Sequence, residues 1–268
     1  LGAVALVLLA PARPEPPVEV ATADEELVAA GRFVLDHDGA RWLDETYSLL
    51  RAEDGNYLLV SKATLTLSGQ KIALADQTLY TTEYRPLSYQ MAAETAAGAQ
   101  VISAQEAGGE FTMEVRVGTA RQSVEGTWDE SLFLLDNNLI AHYAILFRAI
   151  EEGLVAQTFS AAVPQALARI PGRWDEPTAI RFRSGDATYE GEATTVRVGD
   201  TVIDLVSYGG RLVGLVGRTQ GTVAYDPSLL PDGLSVETAV IERPTSQASE
   251  REISRRVPHE MPFRSTFS

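Results

Sequence analysis

Glu110-Phe111-Thr112-Met113-Glu114-Val115-Arg116-Val117 places an apolar side chain at every second position and a polar one between. Successive side chains of a strand point to opposite faces, so the stretch predicts a strand with one dry and one wet face, the pattern of an antiparallel sheet packed on one side. The same reading extends upstream. Tyr57 to Leu67 sets Tyr57, Leu59, Ala63, Leu65 and Leu67 on one face, between the turn sequences Glu53-Asp54-Gly55-Asn56 and Ser68-Gly69-Gln70. Arg41 to Leu50 and Ile72 to Thr81 flank it as further strands. Tyr84 to Glu94 follows, interrupted at Pro86. Gln100 to Gln105 then makes a hairpin with Glu110 to Val117 around Gly108-Gly109, and Arg121 to Gly126 adds a short strand.

The period changes after Leu132. Asp136-Asn137-Asn138 offers side-chain oxygens to the free N–H groups of a helix start, and Leu139, Tyr143, Leu146, Phe147 and Ile150 follow at helical spacing. Gly153 suits a helix stop. One amphipathic helix is therefore predicted over about 138–152. Strand patterning then resumes at Leu154 to Phe159. Pro164 to Trp174 reads as an irregular connection and Thr178 to Arg183 as a strand. Thr188 to Val198, Thr201 to Tyr208 and Arg211 to Arg218 form a meander through Gly199-Asp200 and Gly209-Gly210, and Gly221 to Tyr225 closes the sheet. Before Arg41, Asp24 to Ala30 reads as a short polar helix or turn. Strands on both sides of one helix, without alternating βαβ units, predict a mainly β (α+β) fold: a curved antiparallel meander sheet or half-barrel wrapped around one amphipathic helix.

Composition narrows the function classes. With no cysteine, disulfides and thiolate chemistry are excluded. A formal net charge of −15 repels polyanions, so nucleic acid is not an expected partner. Leu1 to Ala10 is an uninterrupted apolar run, followed by Ala10-Pro11-Ala12 and then Arg13-Pro14-Glu15-Pro16-Pro17. This reads as a signal peptide over 1–12, truncated ahead of Leu1, with a linker over 13–30, the β domain over 31–243 and a polar tail or linker over 244–268. The expected location is exported, periplasmic or at the cell surface, with no stable membrane span in the mature chain.

No catalytic motif is found. His37, His142 and His259 lie far apart and in no metal-binding spacing, so neither metal nor cofactor is expected. His37 sits in the turn-like Asp36-His37-Asp38-Gly39. His142 falls off the main apolar stripe and reads as a partly exposed or locally satisfied helical residue, or more sharply as a polar group facing a ligand. No G-x-S-x-G elbow and no phosphate-cradling glycine loop occur. Asp44, Glu45, Glu83, Glu94, Glu114 and Glu125 could meet across strands, but paired catalytic carboxylates need a desolvated cleft, and solvated strand faces are commoner. No catalytic residue is assigned, and the chain is expected not to be an enzyme.

The strands at Tyr57–Leu67 and Phe111–Val117, the helix start at Asp136-Asn137-Asn138 and the meander at Thr201–Arg218 together resemble the half-barrel of Lol-type lipoprotein and lipid carriers of the envelope, over roughly residues 30–226. The resemblance is one of architecture. It implies an apolar cavity between the concave sheet face and the helix, with a lipid or other apolar or amphipathic ligand as partner. Leu65, Phe111, Met113, Trp128, Phe133, His142, Tyr143 and Phe147 are the ligand-binding residues this implies. Two other readings stand beside it: a structural or protein-interaction module of the envelope, and the N-terminal accessory domain of a longer exported enzyme.

Overall fold

The computed structural model describes residues 26–37, 40–67, 69–95 and 98–236. The predicted signal peptide, most of the predicted linker and the predicted tail lie outside the described residues. Eight strands come first: β1 (Glu26–His37), β2 (Ala40–Arg51), β3 (Tyr57–Leu67), β4 (Gln70–Tyr80), β5 (Pro86–Thr95), β6 (Gly98–Ala107), β7 (Glu110–Val117) and β8 (Ala120–Thr127). β9 (Leu132–Leu134) leads to the helix α1 (Ala141–Glu151). After it come β10 (Thr158–Val163), a 3-10 turn (Pro164–Ala166), β11 (Ala168–Trp174), β12 (Thr178–Ser184), β13 (Ala187–Val198), β14 (Thr201–Tyr208), β15 (Arg211–Gly217), β16 (Thr222–Tyr225) and β17 (Ser235–Val236).

β1 to β8 pair antiparallel, each with its sequence neighbour. β13 to β16 form a second meander, and it joins the first where β16 pairs antiparallel with β1, Val34 opposite Tyr225. The long β13 takes β12 along its first half and β11 along its last three residues. β10 pairs with β11, and β9 pairs with β10 as the parallel exception. No pairing joins β8 to β9 among the described residues, so the sheet stays open there. It nevertheless curls: the 3-10 turn packs against β6 and β7, and β9 against β5. The predicted mainly β class, with one helix inside a curved antiparallel sheet, is what the chain adopts.

Inward residues of β2 to β7 and of β13 to β15 share one core with α1, β9 and β10. Each fully buried Leu, Ile or Phe there contributes roughly 1.5–3 kcal/mol of transfer free energy. A second core, built on Phe182, Val206, Val213, Tyr225, Leu230 and Leu234, lies on the other face of β12 to β16. β14 is thus covered on both faces, which explains its run of five successive buried residues, Ile203 to Ser207.

Four local expectations are corrected. Residues 26–30, expected to end a linker as a helix or turn, begin β1; their backbone is paired by β2 rather than by local helical bonds. Pro164 to Trp174 is the 3-10 turn followed by β11, not an irregular connection. The strand expected at Leu154 to Phe159 runs instead from Thr158 to Val163. α1 begins later than predicted and has Ile140 as its N-cap residue, with no side-chain cap from the Asp136-Asn137-Asn138 segment. Its end agrees with the sequence. Gly153 takes φ +71°, its N–H donates to the Ile150 carbonyl and that of Leu154 to Ala149, the Schellman arrangement that a left-handed glycine permits.

Candidate functional site

The inner face of β2 to β5 carries a diagonal line of polar residues through an apolar surface. On β2 the inward positions read Leu43, Glu45, Tyr47 and Leu49; on β4 they read Ile72, Leu74, Asp76, Thr78 and Tyr80. Register places Ser61 of β3 directly opposite Asp76, and Thr78 opposite Tyr89 of β5. Glu45, Ser61, Asp76 and Thr78 are each no more than 1% exposed. Above them stand Asp136 and the first turn of α1 with His142, both equally buried.

The groups interlock. Glu45 Oε2 accepts the N–H of Ile140 at 2.5 Å and that of Ala141 at 3.3 Å, so a strand residue 95 positions earlier supplies the missing helix cap. The positive end of the helix dipole favours a carboxylate there. His142 Nδ1 lies 2.8 Å from the Tyr80 hydroxyl and its Nε2 lies 3.3 Å from Asp76 Oδ2, while Thr78 donates to Asp76 Oδ1 at 3.0 Å. The Tyr89 hydroxyl donates to Asp136 Oδ2 and accepts from Gln165 Nε2 at 3.1 Å; Asp136 Oδ1 accepts the N–H of Asn138 at 2.6 Å. Tyr80, His142 and Asp76 have the order of a hydroxyl–imidazole–carboxylate chain. All three are buried, with no more than 1% of each exposed. Among the described residues no group of three His, Asp or Glu side chains is disposed to hold a metal ion.

Burial dominates the acid–base chemistry. Desolvation raises the Glu45 carboxyl to about 7, against the opposing pull of the Ile140 N–H and of His142. Desolvation likewise raises Asp76, with His142 pulling the other way. For His142, desolvation disfavours the imidazolium, but Asp76, helped by Asp136 and Glu45, outweighs it and the net shift is upward. Tyr80 and Tyr89 are held well above the usual phenol range, again chiefly by burial.

The eight residues expected to bind ligand gather in or beside this interior. Phe111, Met113, Phe133, His142, Tyr143 and Phe147 are buried in it, and Leu65 and Trp128 pack against it half-buried. Trp128 Nε1 donates to the Pro86 carbonyl at 2.8 Å. His142 is 1% exposed, not partly exposed as its place off the apolar stripe suggested, because α1 is buried almost all round and not along one stripe. His37 ends β1, its ring 4.4 Å from that of Trp42. The acidic residues do not converge. Asp44 faces outward to Arg32, Glu114 pairs with Arg116 and Arg121, and Glu45 alone of that set turns into the core. Glu45, Asp76, Tyr80, Tyr89 and Asp136 were not expected at the site. The signal that reveals the strand residues among them is parity: a polar residue in phase with the dry face of a strand.

Open space lies on the other face. A groove of about 640 Å³ runs across the outer side of β3 to β8. Ala52, Leu58 and Leu79 line its β3–β4 end, with Leu58 opposite Leu79 in the ladder. Its floor is the cross-strand row Gln77, Gln90 and Ser103, beside Ser88 and Gln105. The β7–β8 end holds Thr112 and the Glu114–Arg121 ion pair at 2.5 Å.

Fold and interior define a barrel-like β domain with one buried helix, and no described helix is long and apolar enough to cross a membrane. No family model matches the chain, and no curated protein matches it. Among solved structures it is similar to a β-barrel-like protein of a domain of unknown function (DUF1849) from Brucella abortus, with 9% identity and a TM-score of 0.45 over 78% of this chain and 97% of that one. The fold described above rests on the chain's own strand register.

Proposed function

We propose that the chain is an exported, non-catalytic binding domain whose amphipathic ligand lies in the outer groove of β3 to β8. The observation that carries this reading is the groove's gradient: leucines at one end, neutral amides and hydroxyls along the floor, and an ion pair at the far end. A short apolar tail would be desolvated against Leu58 and Leu79, at roughly 0.8 kcal/mol per buried CH₂, while the Gln and Ser side chains satisfy a polar head. The apolar start of the sequence and its lack of catalytic motifs support export and binding rather than catalysis.

A second reading keeps the ligand, lipid-like, between sheet and helix. The gathering of all eight expected residues there favours it. It requires α1 to move away from the sheet, because those side chains are buried against one another. Calorimetric titration with dodecylphosphocholine below its micelle concentration separates the two. On the first reading Leu79→Arg and Ser103→Trp, both outside the core, each weaken binding at least tenfold. Binding that survives both substitutions refutes the outer groove and selects the interior; no binding by the parent chain refutes both.

A further inference from the structure

We propose that the seat of α1 is a proton-sharing cluster formed by Glu45, Asp76 and His142 beside Asp136, which takes up protons as the helix docks and holds α1 tightest against the sheet in mildly acid solution. The proposal is independent of where a ligand binds.

The geometry carries it. Asp76 lies 3.3 Å from the His142 imidazole in a dry space, and Glu45 and Asp136, equally buried, are near enough to act on it through their charge. β2 contributes Glu45 with Tyr47 beside it, β4 contributes Asp76 and Tyr80, β5 contributes Tyr89, the segment before the helix contributes Asp136, and α1 itself contributes His142 and Tyr143. Ser61 and Gln165 complete the surroundings without titrating. Among the described residues no Lys or Arg pairs with any of the three acids. Arg148 is engaged by Tyr84 and Glu152 at the far end of the helix, and Arg85 donates to the Leu154 carbonyl. With all three acids ionised, the cluster would hold two negative charges more than its single imidazolium can offset. Isolated charges in low dielectric are expensive, so protons are retained instead. The shifts agree in direction. Glu45, raised from 4.5 to about 7, and Asp76 and His142, both raised, bind their protons more tightly folded than unfolded. The stability they contribute is therefore fully present below their unfolded values and lost as pH rises through the folded ones, for Glu45 near 7. Acid-side stabilisation of this kind runs opposite to that of surface carboxylates paired with Arg.

Three measurements test it on the whole chain. Carbon-detected NMR titration of the Glu45 carboxyl is expected to show a midpoint near 7; a midpoint near 4.5 overturns the proposal. Between pH 6 and 8.5 the thermal midpoint is expected to fall by several degrees, and amide protection of α1, corrected for intrinsic exchange, by about tenfold; a flat or rising midpoint overturns it. Glu45→Gln keeps an acceptor for the Ile140 and Ala141 N–H groups but has no proton to lose, so it should remove more than half of that fall, and a fall unchanged in Glu45→Gln overturns the role of Glu45. If that variant fails to fold, the parent chain's NMR titration alone decides.

Discussion

Truncating Leu146 to alanine asks whether the interior is a packed core or a compliant pocket. Leu146 lies at the middle of α1, 1% exposed, within the cluster that joins the helix to both meanders. Deleting its terminal isopropyl group forfeits the transfer free energy of three carbons and leaves a cavity that a two-sided enclosure can only partly collapse; such changes cost about 3–4 kcal/mol. For a domain of this size that corresponds to a fall of roughly 6–16 °C in thermal midpoint. Urea unfolding followed by far-ultraviolet circular dichroism measures the loss, with an unchanged slope on denaturant confirming that the unfolded state is the same. The new cavity should stay dry and take up benzene, restoring part of the lost stability. A loss below about 1 kcal/mol would refute the packed interior, since a leucine that already borders empty or ligand-adapted space leaves little new cavity when removed.

Other substitutions test single contacts. Gly191→Ala should cost more than about 2 kcal/mol by urea unfolding, because the added Cβ would meet the Ser207 carbonyl oxygen at 2.3 Å and the Phe182 ring at 2.8 Å, and a ladder carbonyl cannot swing away. Tyr89→Phe should cost about 1–3 kcal/mol, since it leaves the buried Asp136 without its phenol donor; an effect under 0.5 kcal/mol would mean the contact is not made. Arg32→Ala, in contrast, should change stability by less than about 1 kcal/mol although Arg32 makes a two-pronged contact with Asp44, because both side chains are well exposed and solvent screens them.

Much of the fold was legible from local chemistry. Met113 and Val115 against Glu114 and Arg116, the left-handed glycines Gly209 and Gly210 between β14 and β15, and the Gly153 helix stop all act through backbone geometry or through the two faces of a single strand. β1 was not legible. Leu27-Val28-Ala29-Ala30-Gly31 has no two-residue alternation, and the segment is a strand because β2 pairs along it. The helix cap was misread for a similar reason. Asp136 has the right chemistry for a cap, but its carboxylate is engaged by Tyr89 and Asn138, and Glu45 takes the vacant N–H groups from across the sheet.

By itself the sequence determined the class: strand periods, turn residues and one helical stretch are properties of neighbours along the chain, set by the backbone's two regular geometries. Only the tertiary structure decided what those elements enclose. Burial of Glu45, Asp76 and His142 together depends on register between strands and on where the helix comes to rest, and the cost of ionising a group depends on everything around it in space, which no residue carries in its own name.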